Sequence, residues 1–140
     1  MLSGTVYIMA VDKVALIAYR IEKARETILA AKLLMENNLL SHAENRIYYS
    51  IFYLISALAI KHDFSTSKHR ELLGWFNKNF VYTQKVSVEM KNIYRDAFEN
   101  RQESDYEDYK TFEIEEVKTH FDRMLTFVDE IEKLVIGKET

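Results

Sequence analysis

Apolar residues recur every three or four positions along most of this chain, which predicts a succession of amphipathic helices. The first predicted helix runs from about Val11 to Asn37, after a lead-in of residues 1–10, and Asn37 and Asn38 are its expected stop residues. The last predicted helix runs from about Thr111 to Ile136. Each of these two helices carries an apolar seam on one face. The seam residues are Val14, Ile17, Ile21, Ala24, Ile28, Ala31 and Met35 in the first helix and Ile114, Val117, Phe121, Met124, Val128, Ile131 and Val135 in the last.

The second predicted helix, from Ser41 to about His62, is apolar nearly all round. A helix with that pattern is expected at the centre of a bundle, where every face is covered. Ser41 and Glu44 have the spacing of a capping box, in which each side chain satisfies a free backbone N–H at the start of a helix. The pattern therefore also predicts where this helix begins.

Two shorter helices are predicted between the second and the last. The third covers about 67–81, the fourth covers 84 or 87 to 102, and a polar acidic loop follows at 103–110. The chain has no proline and three glycines, and β-turns depend on these residues. We therefore predict an all-α, up-and-down antiparallel bundle of about five helices, with residues 11–140 forming a single domain.

Composition narrows the function classes. The chain has no cysteine, which excludes disulfides and thiolate metal sites, and its net charge of -3 is not typical of a protein that binds duplex DNA. No apolar run approaches the about 20 residues that span a bilayer, so we expect a cytoplasmic protein without a membrane segment. Di-iron, zinc-protease, Walker A and dinucleotide-binding motifs are absent from the sequence, and no metal or cofactor is expected.

Polar residues interrupt the apolar second helix along one face. They are Asn45, Tyr49, Tyr53 and Ser56. These residues either line a nucleotide pocket or form a polar stripe whose hydrogen bonds are satisfied within the protein. Arg46 lies beside them and is expected to pair with an acidic residue of the last helix or of the acidic loop.

Arg101 ends the apolar stripe Met90, Ile93 and Ala97 of the fourth helix. With Asp105 it forms either a phosphate-binding pair or a structural ion pair one helical turn apart. His69 lies on the apolar stripe of the third helix, where it is a proton donor, a packed core side chain or a helix N-terminal residue.

Three segments carry a family resemblance. They are Asn45-Arg46-x-Tyr48-Tyr49-x-x-Phe52, then Lys68-His69 with Phe76 and Phe80, and finally Arg101-x-x-x-Asp105-Tyr106. In this order and spacing they resemble the small stand-alone HEPN domains of bacteria and archaea, over roughly Val14 to Ile136. The resemblance implies an up-and-down bundle with an added short helix, and a gene that often neighbours one for a minimal nucleotidyltransferase.

The resemblance also implies a site. Many HEPN proteins are RNA-cleaving toxins, often dimeric, whose signature is an arginine followed after four to six residues by a histidine. Arg101 matches that arginine, but Tyr106, Glu107 and Asp108 occupy the histidine positions. A neutral phenol, with a pKa of about 10, is a poor general base at neutral pH. In some members a tyrosine near this arginine is adenylylated, so Tyr106 is either a modification site or an aromatic anchor for the loop.

One functional hypothesis and two alternatives follow. We expect a homodimer that binds a nucleotide or RNA as the non-hydrolytic partner of a minimal nucleotidyltransferase, in a toxin–antitoxin-like pair. The alternatives are a metal-independent ribonuclease toxin and a structural adaptor without a ligand. The expected ligand-binding residues are Arg101, Asp105, Tyr106, Asn45, Arg46 and Tyr49, and the candidates for a catalytic role are Arg101, Tyr106 and His69.

Overall fold

The computed structural model describes the backbone of residues 2–106 and 111–137 and the side chains of residues 12–102 and 111–137. Over these residues the chain forms five α-helices and no strand, which confirms the predicted all-α bundle. The helices are α1 (Leu2–Glu36), α2 (Leu40–Lys61), α3 (His69–Phe76), α4 (Val88–Tyr106) and α5 (Ile114–Ile136).

Helix α2 lies at the centre of the bundle, as its apolar pattern predicted. It contacts α1, α3, α4 and α5, and most of its side chains are buried. Burying an aliphatic side chain such as Ile51 or Leu54 contributes about 1.5–3 kcal/mol relative to leaving it exposed. Polar side chains on α2 are therefore held in place by neighbours on several sides.

The seams of the two long outer helices face the core over most of their length. In α5 the whole seam is buried or half-buried, and in α1 the seam is covered from Ile17 to Met35. Val14 is the exception, with 70% of its surface exposed. At that level α1 lies beside the loop after α2, where Lys13 pairs with Asp63 at 2.9 Å, so there is no core for Val14 to enter.

Two predicted boundaries differ from the observed ones by four residues or more. Helix α1 begins at Leu2, so the predicted lead-in continues the helix. Helix α4 continues to Tyr106, so the first half of the predicted acidic loop has a helical backbone. Residues 107–110, the second half of that loop, lie outside the described part of the chain.

The predicted third helix changes geometry within its length. The α-helix ends at Phe76, and a π-helical turn continues from Asn77 to Val81. Phe80 and Val81 are both buried. Adjacent residues of an α-helix point about 100° apart, and the wider π turn brings both side chains toward the core.

The predicted capping box at the start of α2 is wrong. Helix α2 begins at Leu40, and Leu39 rather than Ser41 occupies the capping position, without a side-chain capping bond. Glu44 is instead buried, and its carboxylate contacts α5. The stop signal before this helix is confirmed, because α1 ends at Glu36 and Asn38 has a φ of 59°, which asparagine tolerates.

Candidate ligand-binding site

Arg101 lies near the C-terminal end of α4 and reaches α2. Its Nη2 donates a hydrogen bond to the Tyr49 hydroxyl at 3.2 Å. Its guanidinium carbon lies 5.7 Å from the centre of the Tyr48 ring and 5.6 Å from that of Tyr49, within range of cation–π attraction. The buried residues Ile93 and Ala97 turn this face of α4 toward α2, so the apolar stripe aims Arg101 at Tyr49.

Arg46 brings a second guanidinium to the same tyrosine. Its guanidinium carbon lies 4.9 Å from the centre of the Tyr49 ring. Its Nε and Nη2 donate hydrogen bonds to the side-chain oxygen of Asn45 at 3.0 and 2.6 Å. Arg46 pairs with no acidic residue of α5, so that predicted partner is wrong, and the acidic loop lies outside the described side chains. Since an amide neutralises no charge, two cationic groups flank one phenol ring.

His69, at the start of α3, is joined to Arg101 through Tyr48. The Tyr48 hydroxyl and the His69 Nδ1 lie 2.7 Å apart. The imidazole stacks on Phe52 with ring centres 4.4 Å apart and an interplanar angle of 13°. Sequence analysis did not select Tyr48, because it lies within the apolar run of the central helix.

The Tyr48 hydroxyl stays neutral over the physiological range. Burial raises the pKa of Tyr48 far above that of an ordinary phenol, although the Arg101 charge opposes this effect and the nearby Tyr49 adds to it. A neutral phenol can donate a hydrogen bond to one partner and accept one from another. Tyr48 therefore links two residues of the site: its hydroxyl hydrogen-bonds to His69, and its ring lies within cation–π range of Arg101.

Asp105 and Tyr106, the other two predicted ligand-binding residues, lie in the last turn of α4. Their side chains are outside the described residues, so the ion pair between Arg101 and Asp105 remains a prediction. We refer to the described residues of the site as the Arg101 cluster. It comprises Arg101, Arg46, Asn45, Tyr48, Tyr49 and His69.

A buried acid–histidine pair lies beside the Arg101 cluster. The His120 Nδ1 and the Glu44 Oε1 lie 2.5 Å apart; the Glu44 side chain is 0% exposed and that of His120 is 18% exposed. The hydrogen bond to Glu44 raises the pKa of His120, against the opposing effect of burial. Asn100, the residue before Arg101, approaches the same nitrogen at 3.4 Å. Sequence analysis missed this pair because Glu44 was assigned to a cap.

The described residues contain neither a metal-ligand cluster nor a membrane-spanning helix. No three histidine, aspartate or glutamate side chains in that part of the chain converge as metal ligands. Nor does any helix there combine the length and the apolar character needed to cross a membrane.

Comparison with known proteins shows to which family this bundle belongs. A family model described as "HEPN domain" matches residues 17–134, which span all the helices that carry the Arg101 cluster. Because the match covers most of the chain, the chain belongs to the HEPN family.

Three relatives are similar over nearly their whole length. The chain is 43% identical over 124 residues to the "UPF0332 protein" of Thermotoga maritima, a match that covers 89% of this chain and 94% of the relative. It is 30% identical over 118 residues to the "Putative toxin MJ0142" of Methanocaldococcus jannaschii, covering 84% of this chain and 80% of the relative. It is 33% identical over 113 residues to the "Putative toxin MJ0605" of the same organism, covering 81% and 84%.

Proposed function

We propose that the Arg101 cluster binds a phosphate-bearing ligand, a nucleotide or an RNA end, and that the chain is the non-hydrolytic partner of a minimal nucleotidyltransferase. The observation that carries this proposal is the placement of two guanidiniums on one half-buried tyrosine. Arg46 lies 4.9 Å and Arg101 5.6 Å from the centre of the Tyr49 ring.

The charges of the cluster favour an anion. Arg46 and Arg101 both approach Tyr49, and a phosphate bound beside this ring would be attracted to both positive charges. A guanidinium also presents parallel N–H donors that match phosphate oxygens in pairs. These two properties make a phosphate the ligand group that the described side chains fit best.

Tyr49 of the cluster and the neighbouring Tyr53 favour a base next to that phosphate. Tyr49 and Tyr53 are both half-buried, with ring centres 5.8 Å apart. A base stacked on an exposed aromatic ring contributes about 1–3 kcal/mol, and such stacking is tolerant of base identity. The cluster thus supports a nucleotide or an RNA end over inorganic phosphate alone.

The non-hydrolytic role is supported by the residues that follow Arg101. Tyr106, Glu107 and Asp108 stand where a proton-transferring histidine would be needed.

Two relatives have "toxin" in their printed names, which supports a toxin–antitoxin-like pair for this chain as well. Co-purification with the product of a neighbouring nucleotidyltransferase gene would test the partner, and failure of a co-expressed pair to associate would contradict it.

A metal-independent ribonuclease is the second candidate, and one contact favours it. The His69 Nδ1 lies 2.7 Å from the hydroxyl of Tyr48, the ring of which contacts Arg101. A histidine is therefore present in the cluster, although none stands at the signature positions after Arg101. We expect the purified protein to leave single-stranded RNA intact in the presence of a chelator. Cleavage that disappears in both Arg101→Ala and His69→Ala would instead establish this candidate.

Ligand binding can be tested by thermal unfolding with ATP and with a short 5′-phosphorylated RNA. At a ligand concentration of about 100 times Kd, binding stabilises the native state by about 2.7 kcal/mol, which raises Tm by several degrees. We expect this shift in the wild type and in Arg95→Ala, a control that removes an exposed arginine from the same helix. Arg101→Ala should show no shift. Equal shifts in wild type and Arg101→Ala, or none in either, would mean that Arg101 is a structural residue.

A further inference from the structure

A cavity lies between α1, α2 and the segment that leads into α3. Its volume is about 440 Å³, within the roughly 300–1,000 Å³ typical of small-molecule sites. We propose that this cavity binds a small organic phosphate, whose phosphoryl group bonds to Arg20 and to the hydroxyls around it. Those hydroxyls belong to Ser56, Ser65, Thr66 and Ser67.

Arg20 is the observation that points to an anion. It lines the cavity from α1 and is half-buried. Its Nε is buried, and Arg20 has no hydrogen-bond or ion-pair partner among the described residues. Other arginines of the bundle are paired, as Arg123 is with Asp96 at 3.0 Å. A buried donor without an acceptor destabilises the fold, and more so when it is charged, so an anion in the cavity would remove this penalty.

The hydroxyls favour phosphate over carboxylate. Thr66 Oγ1 accepts a hydrogen bond from the Lys68 N–H at 3.1 Å, which leaves its own hydrogen available to a ligand. A phosphate monoester presents three terminal oxygens, enough for a guanidinium fork and a hydroxyl donor at once, whereas a carboxylate presents two. The donor set around Arg20 therefore matches the larger anion.

The remaining walls favour an apolar body attached to that phosphate. Phe52, Ala59 and Leu72 line the cavity and are buried in the core. Contact with such surface contributes about 25 cal/mol for each Å² removed from water. The expected ligand thus has a charged end at Arg20 and an aromatic or aliphatic end against Phe52.

This cavity is distinct from the Arg101 cluster. None of its lining residues belongs to that cluster, although Phe52 stacks on His69, which does. The inference therefore does not depend on the proposed function, and variants of each site serve as controls for the other.

Phenyl phosphate is a suitable probe, with binding followed by calorimetry and by amide chemical shifts. We expect saturable binding to the wild type and to Arg101→Ala, and at least a tenfold loss of affinity in Arg20→Met. Methionine keeps the aliphatic stem of the side chain and removes the buried, unsatisfied Nε donor, so Arg20→Met should unfold at or above the wild-type Tm. Ser56→Leu, which fills the cavity from a half-buried position on α2, provides a second variant and should abolish binding.

Several outcomes would overturn the inference. One is the absence of saturable binding to the wild type up to about 10 mM phenyl phosphate. Another is unchanged binding in Arg20→Met or in Ser56→Leu. Phenylacetate binding as tightly as phenyl phosphate would show that the site does not select phosphate. Inorganic phosphate binding as tightly would show that the apolar wall contributes nothing.

Discussion

The buried pair of Glu44 and His120 makes a prediction that can be worked through in magnitude and in pH dependence. The substitution Glu44→Gln keeps the size of the side chain and its hydrogen-bond acceptor but removes the charge. A hydrogen bond to a charged partner contributes about 1.5–3 kcal/mol and a neutral one about 0.5–1.5 kcal/mol. We therefore expect Glu44→Gln to lower the free energy of unfolding by about 1–2 kcal/mol at about pH 6, or Tm by about 3–6 °C.

The pH dependence follows from the raised pKa of His120. The groups that act on it are Glu44 from α2, which raises the pKa most, Glu116, which also raises it, and Arg123, which lowers it. A group whose pKa is higher in the folded than in the unfolded state stabilises the fold below its unfolded pKa, about 6.5 for histidine. That stabilisation is lost as the pH rises through the folded pKa. The stability gap between wild type and Glu44→Gln should therefore shrink from about pH 6 to about pH 9.

Urea unfolding followed by circular dichroism, repeated across this pH range, measures the gap directly. Glu116→Gln is the matched control, because Glu116 acts on His120 through charge alone and should cost less than about 0.5 kcal/mol. The reasoning is refuted if Glu44→Gln is as stable as the wild type at about pH 6. It is equally refuted if the gap widens as the pH rises.

Two further predictions concern the outer face of α1 and the core. Leu29 and Leu33 are 63% and 62% exposed on α1, and we expect them to contribute to a homodimer contact. Sedimentation should then give a dimer for the wild type and a monomer when Leu29 and Leu33 are both replaced by glutamate. The control Leu125→Glu, on α5, should remain a dimer, and a monomeric wild type would contradict the prediction. Ile51→Ala, at a wholly buried position of α2, should cost about 2–5 kcal/mol in urea unfolding, and a cost below about 1 kcal/mol would show that α2 is less tightly packed than described.

The fold could be predicted closely because its signals are local. The central position of α2 follows from an apolar pattern within one segment, and so does the direction of Arg101, which one stripe on α4 determines. The end of α1 was likewise predicted from Asn37 and Asn38 alone. These features depend on residues a few positions apart.

The errors concern contacts between distant parts of the chain. Glu44 and His120 are 76 positions apart, and the local S-x-x-E pattern at Glu44 gave a plausible but wrong alternative. The π turn at 77–81 depends on what the core requires of Phe80 and Val81, and the sequence of α3 does not show this requirement. Asp105 and Tyr106 remain predictions, and with them the part of the site nearest the acidic loop.

Tyr48 ties the proposed binding surface to the folding of the whole bundle. Its ring is wholly buried against Phe98 while its other contacts reach Arg101 and His69, so the same side chain serves stability and supports the proposed site. A substitution of Tyr48 that changes affinity must also leave the chain able to fold. Divergence in ligand preference among relatives should therefore arise at half-buried positions such as Asn45 and Arg46, where a new side chain changes the site and leaves the core intact.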